Sequence, residues 1–436
     1  MTYTLSGCRV ITGDEQCPYY PAANIVIKDG IIKKIGPAEI CPAEGEQISL
    51  RGKLVAPGLI NCHHHLPSVL YRDLGSDLPL MDWLQQAMWP AQAHMTGEDA
   101  YCAALLSCAE QIQNGITTTV DQYYYADCNA RAVKRSGMRA VIGATVFDHP
   151  SPESKDTLQT AVDFIEKYRH DERITPCFGP HAPYTESPRT YRRIAALAAE
   201  MGVMVHTHIG ETRSEVDCIR EKYGTTSTQL LEETGLFENR VIAAHNIYLS
   251  PQDIDIFAKH QVGAVFCPVS NLKLASGIPD IAPFIKAGIP TAFGTDGAES
   301  NNALDLLQDA KIGLLLQKTM HRDAALMPAE QGLAMLTAEA ADIIGMAHCL
   351  GRLMPGYQAD LVVFDDAFAN AVPHHATAAQ ETAHLLYSLS GKNVQSTMVA
   401  GKWLMYERQV RTFDYPAVAR QVQQRAARIA ADAGLL

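Results

Sequence analysis

Between Leu59 and Asp296 one pattern recurs eight times: a short apolar, β-branched run, a turn, then a stretch with helical spacing. The expected strands are the run from Leu59 into the histidines at 63–65, then 116–120, 139–146, 174–179, 203–208, 241–245, 262–267 and 289–296. Helices are expected over 97–113, 128–136, 157–168, 188–201 and 279–287. Their ends are marked. Thr96 with Asp99 three residues on reads as a capping box, and Ser187-Pro188 and Ser250-Pro251 open helices. Asn114-Gly115, Gly137, Gly202, Gly235 and Gly288 close them. Strands joined by helical crossovers pair in parallel, and eight such units in about 290 residues predict an α/β fold, a (β/α)8 TIM-type barrel over 58–349. A hydrophobic content of 47% in 436 residues is enough for the core of such a barrel.

The flanks read differently. Arg9–Thr12, Asn24–Lys28 and Ile31–Ile35 are β-rich, and Asp29-Gly30 is a two-residue hairpin signal. Leu361–Asp365 and Thr397–Leu404 repeat that character near the other end. Together they predict a small β-sandwich domain built from both termini, 1–57 plus 350–412, with a C-terminal helix in 413–436. Met1–Ser6 carries no basic and apolar leader pattern, and no run of about 18 apolar residues suggests a membrane span. Eleven cysteines, an odd number without a CxxC, are expected as reduced thiols of a cytoplasmic protein. A net charge of −12 argues against nucleic acid or an anionic membrane as the main partner and is expected only to keep the protein soluble.

In a barrel of this type the active site lies at the C-terminal ends of the strands. Titratable residues gather there: His63 and His65 on the first, His181 after the fourth, His206 and His208 on the fifth with Glu211 three residues on, His245 on the sixth, Asp296 on the eighth. Side chains at i and i+2 of a strand share a face, so His63 and His65 point together while Cys62 and His64 turn away. One strand-end histidine means little; the recurrence is the signal. Three or four N/O ligands with one open position describe a catalytic zinc site, and His63, His65, His208 and Asp296 can supply that set. Spacing does not decide between His206 and His208, which share a face. A water on such an ion is acidified to a pKa near about 7. Asp296 can accept its proton, Glu211 can protonate the substrate, and His245 and His181 can orient the nucleophile or polarise the substrate.

Several segments resemble the amidohydrolase superfamily: Pro57–Asn61 before the HxH, His208-x-x-Glu211-Thr212, Ala244-His245, Cys267–Gly277 and Gly294–Asn302. The chain is similar to the cytosine/guanine deaminase-related branch, near the S-adenosylhomocysteine/methylthioadenosine deaminases and triazine hydrolases. The resemblance implies one Zn2+, with Fe2+ and Mn2+ as alternatives, on His63, His65, His208 and Asp296. It selects His208 over His206. It makes Glu211, His245 and Asp296 catalytic, and Arg72, Trp83, His181 and Ser300 substrate-lining. It also implies a homo-oligomer, a dimer or tetramer.

Two positions depart from the adenosine-type pattern. Gln92 stands where a glutamate grips the ribose hydroxyls, and Ile142-Gly143-Ala144-Thr145 holds no arginine near the end of the third strand. The expected function is deamination of a 6-aminopurine nucleoside such as methylthioadenosine, S-adenosylhomocysteine or adenosine. Deamination of a free purine, pterin or triazine is the alternative, followed by triazine dechlorination and, last, a non-catalytic scaffold.

Overall fold

The computed structural model describes residues 2–365, 367–375 and 377–435. Eight parallel strands form the central sheet: β1 (Leu59–His64), β2 (Ile116–Tyr123), β3 (Arg139–Val146), β4 (Ile174–Pro180), β5 (Val205–Ile209), β6 (Val241–His245), β7 (Gly263–Phe266) and β8 (Thr291–Phe293). Each pairs with the next in sequence. Ile60, Val120, Val141, Cys177, Ile242, Val265 and Ala292, one from every strand but β5, meet in a single apolar cluster. Strands so far apart in the sheet can share a cluster only if the sheet curls shut. The barrel expected from the sequence is present.

Its seam, between β8 and β1, is not a ladder. The stretch expected as a strand over 289–296 is regular only over Thr291–Phe293. Beyond it the backbone leaves β7 for β1: Asp296 N–H donates to His63 O at 3.0 Å, and Thr295 N–H donates to Asn61 Oδ1 at 3.0 Å. Asn61 Nδ2 returns a bond to Thr295 Oγ1 at 2.8 Å. Gly294 makes the approach feasible, since a methyl group there would lie 2.7 Å from His63 Cβ and 2.8 Å from its nitrogen.

Both termini contribute to a separate nine-stranded sheet. Leu54–Pro57 lies inside it, antiparallel to Leu361–Phe364 on one side and parallel to Thr2–Ile11 on the other. Alternation divides the strand: Leu54 and Ala56 pack towards the barrel, Val55 towards a second cluster with Leu5, Ile25, Val363 and Met398. The Asp29-Gly30 turn joins Tyr19–Lys28 to Ile31–Gly36 with φ of 51° and 82°, the left-handed pair that a two-residue hairpin needs. The sheet folds over until this turn meets its far side, where Ala359 N–H donates to Gly30 O at 2.8 Å. Gly58 alone separates this sheet from β1.

A helix within the stretch expected to be wholly β, Ala378–Tyr387, packs on the helix Ala329–Leu336 instead of extending the sheet. Thr377, whose side chain accepts from Gln380 N–H, caps it. The C-terminal helix, Tyr415–Asp432, lies on Gly97–Gln113, where Arg425 Nη1 donates to Asp99 Oδ1 at 2.8 Å. All eleven cysteines are free, and among the described residues no helix is long and apolar enough to cross a membrane.

Gly294→Ala is expected to destabilise the protein by about 1–3 kcal/mol in urea unfolding, because the methyl group overpacks the seam. Wild-type stability in that variant would mean that β8 and β1 separate freely.

Candidate metal and active site

The seam brings the first and last strand-end groups together. His63 Nε2 lies 3.3 Å and His65 Nε2 3.1 Å from Asp296 Oδ1. The ring of His208, from β5, stands 4.9 Å from that of His63, and the ring of His245, from β6, 5.3 Å. Donor atoms of His63, His65 and His208 fall within 4.8 Å of one another, as do those of His63, His245 and Asp296. Two strand ends adopt unusual backbone to achieve this, with φ of 75° at His245 and 59° at Asp296. Left-handed geometry at non-glycine residues costs energy and concentrates at functional sites.

The rings are oriented from behind. His65 Nδ1–H donates to Gln122 O at 2.6 Å and His208 Nδ1–H to His181 O at 2.6 Å, which turns both Nε2 lone pairs to the cluster. His63 Nδ1 is bonded to His206 Nε2 at 2.9 Å, while His63 Nε2 is buried without a hydrogen-bond partner in the protein. His206 therefore shares the face of His208 but spends its Nε2 on His63. A fully buried, unpartnered imidazole nitrogen beside a carboxylate and two further imidazoles fits a divalent cation of the zinc type. As expected, His64 turns away, donating from Nδ1 to Asp296 O at 2.7 Å and facing Ser107 Oγ through Nε2 at 2.7 Å. Cys62 turns away too, its Sγ lying 3.8 Å from Ala340 O.

Burial alone would raise the Asp296 pKa, but His63 and His65 hold it well below the ordinary carboxylate range. Its second oxygen, Oδ2, accepts from Ser270 Oγ at 2.6 Å and Ser300 Oγ at 2.9 Å. Glu211, in the loop after β5, lies 3.9 Å from His245 Nε2 through Oε2. Burial raises its pKa and favours the protonated form. The loop is pinned by Glu215, which accepts from Gly210 N–H at 2.9 Å and Glu211 N–H at 3.0 Å. His245 Nδ1–H donates to Asn271 Oδ1 at 3.0 Å.

Above the cluster opens a cavity of about 370 Å³. Of the residues singled out in the sequence, His65, Trp83, Gln92, His181, His208, Glu211, His245, Asp296 and Ser300 line it, and His63 lies beneath. Trp83 Nε1–H donates to Leu74 O at 3.1 Å, so its ring forms wall. Gln92 Nε2–H donates to Tyr123 Oη at 2.7 Å. Arg72 is not among the lining residues, and its guanidinium pairs with Glu110.

Other lining residues had not been singled out, among them Tyr123, Phe147, His149 and Glu299. Tyr123 ends β2, and Phe147 and His149 follow β3, the same strand-end position that marked the histidines. Glu299 follows Asp296 by three residues in a segment whose chemistry was assigned to its neighbours.

The Amidohydrolase family profile matches residues 54–404. A 5-methylthioadenosine/S-adenosylhomocysteine deaminase of Pelotomaculum thermopropionicum is 36% identical over 430 residues, covering 98% of each chain. One from Syntrophomonas wolfei is 38% identical over 409 residues, covering 93% of this chain and 94% of its own. A crystal structure of an adenosine deaminase from Xanthomonas campestris with bound zinc superposes with a TM-score of 0.94 at 30% identity, covering 98% of both chains. With the eight-stranded barrel, the sheet drawn from both termini and the strand-end cluster of histidines and aspartate, these matches make the chain a member of the amidohydrolase family.

Proposed function

We propose that the protein is a metal-dependent aminohydrolase that replaces the 6-amino group of an aminopurine nucleoside with oxygen and releases ammonia, with methylthioadenosine, S-adenosylhomocysteine and adenosine as first substrates. The observation that carries this reading is the meeting, on one cavity, of an N/O donor cluster with a buried carboxyl, Glu211, whose pKa is raised. Names of the related enzymes support it in the same direction.

His63, His65, His208 and Asp296 would hold the ion. A divalent ion there lowers the pKa of water towards about 7, which supplies a nucleophile at neutral pH. Asp296 is suited to carry a proton. One carboxylate oxygen faces the imidazoles and the other is steadied by Ser270 and Ser300, so the group keeps its orientation as its protonation changes. Glu211, whose protonated form burial favours, donates to the ring nitrogen beside the carbon under attack and so relieves the negative charge that attack would leave there. His245, held by Asn271, presents Nε2 to the space beside Glu211, where it fixes the approach of water to that carbon. Asp296, having taken the proton that the attacking water gives up, delivers it to the departing amine, which leaves as ammonia, while the hydroxyl proton left on the carbon passes to Glu211 as the carbonyl forms.

Ammonia release by zinc-loaded protein over methylthioadenosine, S-adenosylhomocysteine, adenosine, guanine, a pterin and an aminotriazine tests the reading. Turnover of the nucleosides is expected; turnover of free bases or triazines alone would overturn the substrate class. Treatment with dipicolinate should abolish the activity and one equivalent of zinc should restore it, whereas full activity in chelated, metal-free protein would sink the metal role.

Glu211→Gln is expected to lower kcat/KM by about 10²- to 10⁴-fold, the usual loss on removing a general acid, with metal content unchanged by elemental analysis. A rate within a few-fold of wild type would remove Glu211 from the mechanism.

A further inference from the structure

A second cavity, of about 310 Å³, borders Gly210, the residue before Glu211. It shares no lining residue with the cavity above the donor cluster. One wall is the helix Arg213–Tyr223, whose Arg213, Val216 and Arg220 recur at i, i+3 and i+7 and so share a face. Another is the segment after His245, with Ile247, Tyr248 and Leu249. Main-chain N–H groups of Ile247 and Tyr248 donate to Gly210 O at 3.0 and 2.9 Å, which ties that segment to the one leading into the helix.

Charge on this surface is unevenly satisfied. Asp253 is the lining carboxylate, and both its oxygens are used. Oδ1 accepts from Thr226 Oγ1 at 2.5 Å, and Oδ2 accepts from Ser250 N–H at 2.8 Å and Ser250 Oγ at 2.7 Å. The guanidinium groups of Arg213 and Arg220 have no ion pair and no hydrogen bond among the described residues, although Asp217 stands between them on the helix. Arg213 lies instead over the Tyr248 ring, 5.8 Å from its centroid, and the Tyr248 hydroxyl is anchored on Ser276 O at 2.7 Å. Thr228, also on the wall, is 1% exposed, and its hydroxyl has no hydrogen bond among the described residues.

A buried hydroxyl without a partner needs a reason, and so do two uncommitted guanidinium groups on one concave surface. The arginines are two turns apart, about 10.5 Å along the helix, a separation that two long side chains can close on a shared oxyanion. Planar guanidinium forks suit phosphate oxygens, and a dianion with three terminal oxygens can engage both forks and the hydroxyl. A singly charged carboxylate gains less, because Asp253 offsets part of the positive charge.

We propose that this second cavity binds a small organic phosphate, with its phosphate on Arg213, Arg220 and Thr228 and its carbon body against Val216, Ile247 and Leu249. The site is separate from the donor cluster, and its occupant lies against the backbone that leads into Glu211.

The test uses inorganic phosphate, phenyl phosphate and phenylacetate with zinc-loaded protein, by equilibrium dialysis at about pH 8, where the phosphates are dianions. Wild type is expected to bind phenyl phosphate saturably, more tightly than inorganic phosphate, and at least about tenfold more tightly than phenylacetate. Replacing both cations, Arg213→Gln with Arg220→Gln, should weaken phenyl phosphate by about tenfold or more, the loss expected for charge-assisted hydrogen bonds. Thr228→Val leaves the charge unchanged and should weaken it about two- to tenfold, which gives a second reading if the double variant misfolds. Phosphate held at the donor cluster is untouched by these substitutions and is recognised as the binding that survives them. Equal phenyl phosphate affinity in wild type and in both variants overturns the proposal. So does wild type without saturable binding, and phenylacetate binding as tightly as phenyl phosphate overturns the choice of phosphate.

Discussion

One main-chain hydrogen bond, from Asp296 N–H to His63 O, joins the eighth barrel strand to the first, and the chemistry depends on it. Parallel strands elsewhere in the barrel are held by ladders; here the two ends of the sheet are held by Asn61, Thr295, His63 and Asp296. The closure and the donor cluster are therefore one structure. The carboxylate that lies against His63 and His65 is on the residue whose amide closes the barrel. Its left-handed backbone is the cost of serving both ends.

The rest of the site is arranged to keep this polar cluster oriented inside an apolar body. Three layers do so. Carbonyl oxygens of Gln122 and His181 fix His65 and His208, the His206 ring fixes His63, and hydroxyls of Ser270 and Ser300 fix the carboxylate. Gln122 and His181 stand at strand ends, His206 lies on β5 itself, and Ser270 and Ser300 sit on the short helices that follow β7 and β8. Precision is thus borrowed from the sheet, while the loops above are free to vary the cavity wall.

Much of this was legible in the sequence because strands and helices declare themselves by period. The eightfold recurrence identified the barrel, strand alternation separated His63 and His65 from Cys62 and His64, and Asp29-Gly30 marked a hairpin. What stayed hidden depends on contacts that period does not encode. Arg72 resembles a pocket residue in the family, yet Glu110, a full helix away in sequence, captures its guanidinium. His206 and His208 share one face of β5 and differ only in what their nitrogens touch. Glu299, on the cavity wall, was masked by its neighbours in the same segment. The helix Ala378–Tyr387 was missed because the strands on either side of it gave the stretch a β character.

Leu54–Pro57 runs through Gly58 into the strand that carries His63 and His65, and its neighbours in the terminal sheet come from opposite ends of the chain. This gives the molecule a temporal order. During synthesis Leu54–Pro57 emerges early, with Thr2–Ile11 to pair on one edge, but Leu361–Phe364 reaches its other edge only when most of the chain has been made. Asp296 likewise arrives long after the histidines it joins. The strand that carries His63 and His65 pairs with β2 on one edge, and its other edge meets the Thr295–Asp296 segment, which is made much later. The donor cluster of His63, His65, His208 and Asp296 is complete only once Asp296 has emerged.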